Sequence, residues 1–489
     1  MAEFDSGTTV TQMPAYEGAS TSFRLEQKGL QSGDQDTLAA RELKNLWQRS
    51  HYLTRNNAIG ATSKHRLVSN WIGNGIKIRW MNQNGTPAEK IQKEWETWCS
   101  ECTIDGHGDF RNYQKELAGA LAESGESLGR MYINRRKKSK VPLALQNIEA
   151  EQLDPLYSLF DKNIRTGISF DEFGKPTVYH LWKHHPGAYR QISDGNKRVE
   201  VPAEDILHAF ERLRPGQWRG IPWLTPVMLN IYEIDELVDA TIQRQKSAQA
   251  MSWIIENTNP IAAFAPGSVR SAASDTDVDP VTKQKRKIIQ GTAGSVHYLN
   301  KGETVKFASV QDIGPNLATL LQDEMGKIAA CLGLTYDQLT GDLSEVNFSS
   351  IRAGLNEFRV RTEIIQRFII INLALLPIAN RWLELFAIYV PRVGTTGVYP
   401  LFSLPRRYGV DELKDAQADL MEVQAGFSTM ERKLEERDVT FQEIIADRKR
   451  AETSGFIFTS IPEPAIPATS ATQPTKVNDQ TTTKNSSGA

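Results

Sequence analysis

The chain has 489 residues, 40% of them hydrophobic and 24% charged, which suits a folded protein with one large or two to three ordinary cores. A formal net charge of −2 gives no overall pull toward nucleic acid, and three cysteines are too few for a disulfide framework, as in a reducing compartment. The first residues, MAEFDSGTTV, carry neither the basic start nor the apolar run of a signal peptide.

Residues 1–35 are rich in Gly, Ser, Thr and Asp without periodicity, so no fold is expected there. From Thr37 the apolar spacing turns helical through Leu38, Leu43, Leu46 and Trp47 to Trp71, and the glycines of Ile72-Gly73-Asn74-Gly75-Ile76 stop it. Further helices are expected at Pro87–Cys99 and Phe110–Ser124. Between Ser127 and Phe210 short apolar runs, Leu128–Ile133, Val178–Trp182 and Ile206–Phe210, alternate with turn signals and predict a strand-rich region. The Pro/Gly-rich run Arg214-Pro215-Gly216-Gln217-Trp218-Arg219-Gly220-Ile221-Pro222 reads as a rigid joint.

Thr225 followed by Pro226 predicts a helix start, with Val227, Ile231, Ile234, Val238 and Ile242 on one face of a helix reaching Glu256. Residues 257–312 form a Pro/Gly/Ser/Thr-rich insert with the basic cluster Lys283, Lys285, Arg286 and Lys287. A second helix from Pro315 carries Leu317, Leu321, Met325, Ile328 and Leu332. The polar connection Thr335–Ser350 is too long for a tight turn. The helix from Ile351 to about Val390 is expected to kink at Pro377. Its apolar stretch is broken by Asn372, Asn380, Arg381 and Glu384, which predicts a buried helix and no membrane span. Val410–Arg450 is helical and highly charged, with capping boxes at Ser428 to Glu431 and Thr440 to Glu443. The tail from Pro462 is expected to be disordered.

Groups that could carry chemistry each have a plainer reading. Cys99 and Cys102 follow a helix and lack the second ligand pair of a zinc site, so they read as ordinary thiols. His180, His184 and His185 read as structural or surface groups, and His208 as a packed histidine with a hydrogen-bond partner. The basic runs at Arg135–Lys140 and Lys283–Lys287 are dense enough to touch phosphate, although such runs are usually solvated loops. No P-loop, nucleophile elbow, zincin or kinase signature occurs, so no catalytic residue, cofactor or metal is expected. A DNA-processing enzyme would need a carboxylate cluster for metal, and a membrane-associated scaffold an amphipathic or spanning segment.

One resemblance spans most of the chain, from about Ala15 to Arg450. Arg55-Asn56-Asn57, Gln146 with Ile148-Glu149-Ala150-Glu151, Gly167-Ile168 with Asp171 and Gly174, Val201-Pro202-Ala203, the Arg214–Pro222 run, Gly341-Asp342, Asn347–Ala353 and Val410-Asp411 follow one another as in lambda-type phage portal proteins. The resemblance implies an α+β portal fold with long paired stem helices, a kinked long helix, a strand-rich wing, a small α/β clip and a helical crown. In that frame 1–35 is a mobile arm, 36–220 the wing, 221–256 and 313–334 the stem helices and 257–312 the clip. Residues 335–350 are the tunnel loop, 351–390 the kinked helix, 391–409 a return to the wing, 410–455 the crown and 456–489 a disordered tail.

The same resemblance implies a ring, typically of twelve subunits, at one vertex of the capsid. Its channel serves DNA packaging and ejection, and assembly takes place in the host cytoplasm. Its implied partners are the large terminase subunit, head-completion or adaptor proteins, the major capsid and scaffold proteins, and double-stranded DNA. Thr335, Asp337, Thr340, Asp342, Glu345, Asn347, Phe348, Ser349 and Ser350 are expected at the channel constriction. Lys283, Lys285, Arg286 and Lys287 are expected at the clip's docking surface. The insert is more polar and charged between Asp275 and Lys287 than the resemblance would suggest.

Overall fold

The computed structural model describes residues 33–188, 197–250, 315–344, 348–405, 412–437, 439 and 441–454, together with four short strands between 254 and 306. The chain divides into two compact units, one ending at Asp411 and one beginning at Glu412.

The first unit opens with α1 (Gln35–Asn56), capped by Asp34, whose carboxylate accepts from the Thr37 N–H. Its buried stripe, Ala39, Leu43, Trp47, Ser50 and Leu53, keeps the helical period. The single helical run expected up to Trp71 is in fact two helices. Asn57 is extended, ends α1 by donating its N–H to Leu53 O, and starts α2 (Ala58–Ile72) by accepting from the Gly60 N–H at 2.9 Å.

Strand β1 (Lys77–Asn82) follows, then α3 (Glu89–Cys99) and α4 (Phe110–Ser124). Asp109 accepts from the Arg111 and Asn112 N–H groups at the start of α4, and Gly125, left-handed at φ 80°, ends it. The strand-rich region comprises β2 (Glu126–Ile133), β3 (Leu143–Ile148), β4 (Ile164–Arg165), β5 (Ile168–Phe170), β6 (Pro176–Trp182), β7 (Arg198–Pro202) and β8 (Ile206–Phe210). They form two antiparallel sheets, one ordered β3-β2-β8 and one β4-β5-β6-β7.

A 3-10 turn, Thr225–Val227, leads into α5 (Met228–Ala250). Thr225 therefore does not cap the helix as its sequence suggests; its hydroxyl is buried without a hydrogen-bond partner among the described residues. The helix expected to reach Glu256 is described to Ala250, and Ile254–Glu256 belong instead to β9 (Ile254–Asn257), which pairs antiparallel with β12 (Glu303–Lys306); within the insert β10 (Thr276–Val278) pairs antiparallel with β11 (Lys285–Lys287).

The chain continues through α6 (Pro315–Leu332), a short α7 (Tyr336–Thr340) and α8 (Phe348–Ile364). A π-helical stretch, Ile365–Leu375, then joins α8 to α9 (Leu376–Tyr389). The irregularity expected at Pro377 is thus spread over the turns before it. At that junction the Leu376 N–H donates to Ile371 O, five residues back, and the wider turn makes room where the proline ring would press on the carbonyl four residues earlier. Strand β13 (Val398–Ser403) closes the unit by pairing antiparallel with β1, Lys77 opposite Ser403.

Trp80, Trp95, Trp98, Phe110, Trp382 and Phe386 pack as one aromatic group in the largest core, with ring centroids 4.7 Å apart for Trp95–Trp98 and 5.4 Å for Trp80–Trp382. Among the described residues one helix, Gly354–Tyr389, is long and apolar enough to cross a membrane. Its most apolar window is 56% buried within this fold, through Ile365, Ile370, Leu375, Ile378 and Trp382.

The second unit holds α10 (Glu412–Gln424), α11 (Met430–Glu436) and α12 (Phe441–Thr453). The cap of α11 is Thr429, whose hydroxyl accepts from the Arg432 N–H, one residue later than the Ser428 box predicts. Thr440 lies outside the described residues.

Candidate functional site

The Arg214–Pro222 run is a joint built on a buried ion pair. Arg219 and Glu126 have no exposed side-chain surface. The guanidinium donates to both carboxylate oxygens, Nε at 3.0 and 3.1 Å and Nη2 at 2.5 Å, and Nη1 donates to Thr166 O at 3.1 Å. The Gly220 N–H gives the carboxylate a further bond at 2.8 Å. His208 Nε2 lies 3.1 Å from Glu126 Oε2; a carboxylate only accepts, so this nitrogen donates, while Nδ1 lies 3.3 Å from the Tyr179 hydroxyl. Burial alone would push Glu126 up, but the Arg219 charge and the hydrogen bonds from His208 and Arg219 outweigh it and hold the carboxyl at about 2.

Glycine is required where the two backbones cross. A Cβ on Gly125 would lie 2.0 Å from the Ile221 carbonyl carbon, and one on Gly220 would lie 2.2 Å from Gly125 O. The neighbours complete the joint: the Trp218 N–H donates to Asp36 at 2.8 Å, and Gln217 Oε1 accepts from the Leu213 N–H at 2.9 Å. The run therefore ties α1, the α4–β2 corner and both sheets to the point where α5 begins. Asn57 adds a tie from the α1–α2 corner, donating from Nδ2 to Asp235 of α5 at 2.6 Å.

Helices α5 and α6 are packed against each other and against the core near the start of α5 and the end of α6. Ile231 and Ile234 are buried, as are Ile328, Ala329 and Leu332, and Asn230 Nδ2 donates to Glu324 at 2.9 Å. Away from the core the cover disappears. All residues from Asp235 to Ala240 are exposed, including Leu237 and Val238, and so are Ile242 at 42% and Leu320 at 47%. The single apolar stripe expected on α5 is real, but this chain buries only its first half.

The connection after α6 is partly helical rather than an open loop. Thr335 forms a capping box: its hydroxyl accepts from the Gln338 N–H, and Gln338 Oε1 accepts from the Thr335 N–H at 3.2 Å. Leu334 and Leu339 are buried in the large core and anchor the segment. Asp337 and Thr340 belong to α7, which Gly341 ends at φ 75°. Asp342 lies in the exposed stretch that follows and accepts from the Ser344 N–H at 3.0 Å, which holds its carboxyl below the usual carboxylate range. Glu345 and Asn347 lie outside the described residues. Phe348, Ser349 and Ser350 form the first turn of α8, so that helix starts before the expected Ile351.

Of the basic cluster, Lys285, Arg286 and Lys287 form β11, opposite Val278, Asp277 and Thr276 in register, and Lys283 lies outside the described residues. Among the described residues no group of three or more His, Cys, Asp or Glu is placed to hold a metal ion. Burial pushes both helix-end thiols up, Cys102 to about 12, so neither is a thiolate at neutral pH. His180 bonds to the Ser169 hydroxyl at 2.8 Å. His185, in the turn beyond β6, meets Glu151 at 2.7 Å and Glu149 at 3.0 Å.

Residues 22–366 match the family profile described as "Phage portal protein, lambda family". The chain belongs to the lambda family of phage portal proteins. It is 26% identical over 449 residues to the probable portal protein of Halomonas phage phiHAP-1, covering 87% of this chain and 84% of that one. It is 25% identical over 325 residues to portal protein B of Escherichia phage lambda, covering 59% of this chain and 58% of that one. Among solved structures, the neck of a native gene transfer agent particle computed with C12 symmetry aligns at a TM-score of 0.41 and 12% identity, covering 81% of this chain and 92% of that one.

This portal chain is thus a structural component of a phage particle, from a family that is not enzymatic. The matched span takes in the joint, both paired helices, the insert between them and all of α8, ending at Gln366 in the π-helical stretch; α9, β13 and the second unit lie beyond it. Sequence reasoning found the Arg214–Pro222 run but missed the pairing of Arg219 with Glu126, 93 residues away. The visible signal was the glycine beside each partner, Gly125 and Gly220.

Proposed function

We propose that the portal chain works as one segment of a closed ring at a capsid vertex, with DNA passing through the central hole during packaging and ejection. The observation that carries this reading is the half-covered helix pair: α5 and α6 leave Leu237, Val238, Ile242 and Leu320 exposed, and a neighbouring copy would cover them. In this reading α5 and α6 are the stem, the 257–312 insert is the clip, and α10 to α12 are the crown. Twelve copies is the number that the family resemblance implies.

The clip, with its Lys283, Lys285, Arg286 and Lys287 cluster, docks the large terminase subunit during filling and head-completion or adaptor proteins afterwards. Other surfaces meet the major capsid and scaffold proteins during assembly in the host cytoplasm, without a membrane. The segment from Thr335 to Ser350 lines the narrowest part of the channel. Its acids suit a conduit, because every phosphate a wall neutralises adds affinity and slows passage. Particles whose portal carries Asp342→Lys with Glu345→Lys are expected to package DNA more slowly and less completely, by quantitative measurement of encapsidated DNA. Packaging at the normal rate and extent would remove this segment's charge from the transport path.

A further inference from the structure

The turn joining β2 to β3 carries Arg135-Arg136-Lys137-Lys138-Ser139-Lys140, and its cations divide into two sets. One set is spent on the fold. Arg136 donates from Nη1 to Thr103 O at 2.9 Å and Glu101 O at 3.2 Å, and from Nε to Asn134 O at 3.2 Å. Lys140 pairs with Glu94 of α3 at 2.6 Å. The other set, Arg135, Lys137 and Lys138, is exposed, and these side chains make no hydrogen bond or ion pair among the described residues.

The turn that holds them is braced rather than slack. Glu101 Oε1 accepts from the Lys138 N–H at 2.8 Å and the Ser139 N–H at 2.7 Å. The Ser139 hydroxyl accepts from the Val141 N–H at 3.1 Å, and the Asn134 N–H donates to Pro142 O at 2.7 Å. Glu101 and Glu94, the two carboxylates that reach the turn, are both engaged in those contacts. An ordinary charge run is a solvated loop whose side chains and backbone move together. Here the backbone is fixed by buried and half-buried partners, which lowers the ordering cost of presenting three cations to a ligand.

We propose that this turn is a contact for the phosphate backbone of duplex DNA, separate from the channel. The surface is dominated by cations, with Ile133, 61% exposed, as its large apolar neighbour, whereas a protein partner is usually anchored by buried aromatic or aliphatic side chains. Phosphate contacts need only positively charged groups and carry no base readout, so the turn binds DNA of any sequence. Three contacts per copy give weak, salt-sensitive binding. The conduit reading supplies the source of the DNA; the contact itself is a property of this surface and is tested apart from it.

The test uses the full-length chain and a 30-base-pair duplex of about random sequence, with binding followed by fluorescence anisotropy between about 50 and 200 mM salt. Arg135→Gln with Lys137→Gln and Lys138→Gln should weaken binding and reduce the slope of log affinity against log salt by about 3 per bound turn. Unchanged affinity and slope in a variant of wild-type helix content and particle mass would overturn the proposal. So would polyglutamate binding that these substitutions abolish while duplex binding persists, which would assign the surface to an acidic protein. A second measurement needs no variant: formaldehyde crosslinking of DNA-filled wild-type particles should yield nucleotide adducts on Lys137 or Lys138 by mass spectrometry. Adducts confined to other lysines would count against the contact. Loss of ring formation would undermine the conduit reading and leave the in vitro slope to decide this one.

Discussion

Glu126 and Arg219 make the joint a test of buried charge. Two desolvated ions repay their cost only when geometry and further hydrogen bonds are complete, and here Gly220, His208, Thr166 and Gly125 supply the rest. Glu126→Gln leaves Arg219 buried beside a neutral amide and should destabilise the first unit by about 3 to 5 kcal/mol in denaturant unfolding at neutral pH. The acid limb has a defined sign. The carboxyl is held at about 2 in the folded chain against 4.5 for the free group, so its contribution is complete above about pH 4.5 and is lost as pH falls toward 2. Glu126→Gln should therefore remove part of the wild-type stability loss in that window; the same acid limb in both proteins would contradict the pairing. Little of this was legible in the sequence. Pro215, Gly216, Gly220 and Pro222 announce a rigid turn, but an arginine's partner 93 residues away leaves no local pattern. His208 was readable as a packed histidine because apolar residues flank it on a strand, while its partner was not.

Elements were legible where the terminal signals are local. Phe110–Ser124 was recognisable to the residue because an Asp precedes it and a Gly follows it, and both act as caps. Thr225 misled because a 3-10 turn intervenes before α5, turning a cap-like residue inward. The Asn57 break was hidden because the apolar spacing continues across it. The stripe on α5 was visible in full, yet periodicity does not say whether this chain or a neighbour covers it. Leu237 and Ile242 lie in the uncovered half, so Leu237→Asp with Ile242→Asp should leave the fold intact and block assembly. Light scattering after size exclusion should show a monomer of wild-type helix content; full assembly of this variant would mean that this face of α5 does not meet a neighbouring copy. The second unit has the same character: none of its described side chains is buried, Phe427 is 84% exposed and Leu413 is 71% exposed. Its internal ties are ionic, Asp419 with Lys433 at 3.0 Å and with Arg437 at 2.9 Å. Surface ion pairs add roughly 0 to 1 kcal/mol each, too little to replace a core.

For the whole molecule, charge and apolar exposure favour a shared structure over a solitary one. In the proposed reading, near-neutral overall charge and the exposed Asp342 belong to a wall that DNA slides past, and the uncovered faces of α5, α6 and the second unit to surfaces that meet other copies. A head-to-tail contact either closes into a ring or grows without limit, and only a closed ring leaves one hole of fixed width. Native mass spectrometry of the purified full-length chain separates these outcomes directly. One dominant species at an integral multiple of the 54.8 kDa subunit, unchanged on dilution, is the expected result. A monomer under every assembly-favouring condition, or an open ladder of sizes that shifts with concentration, would contradict it.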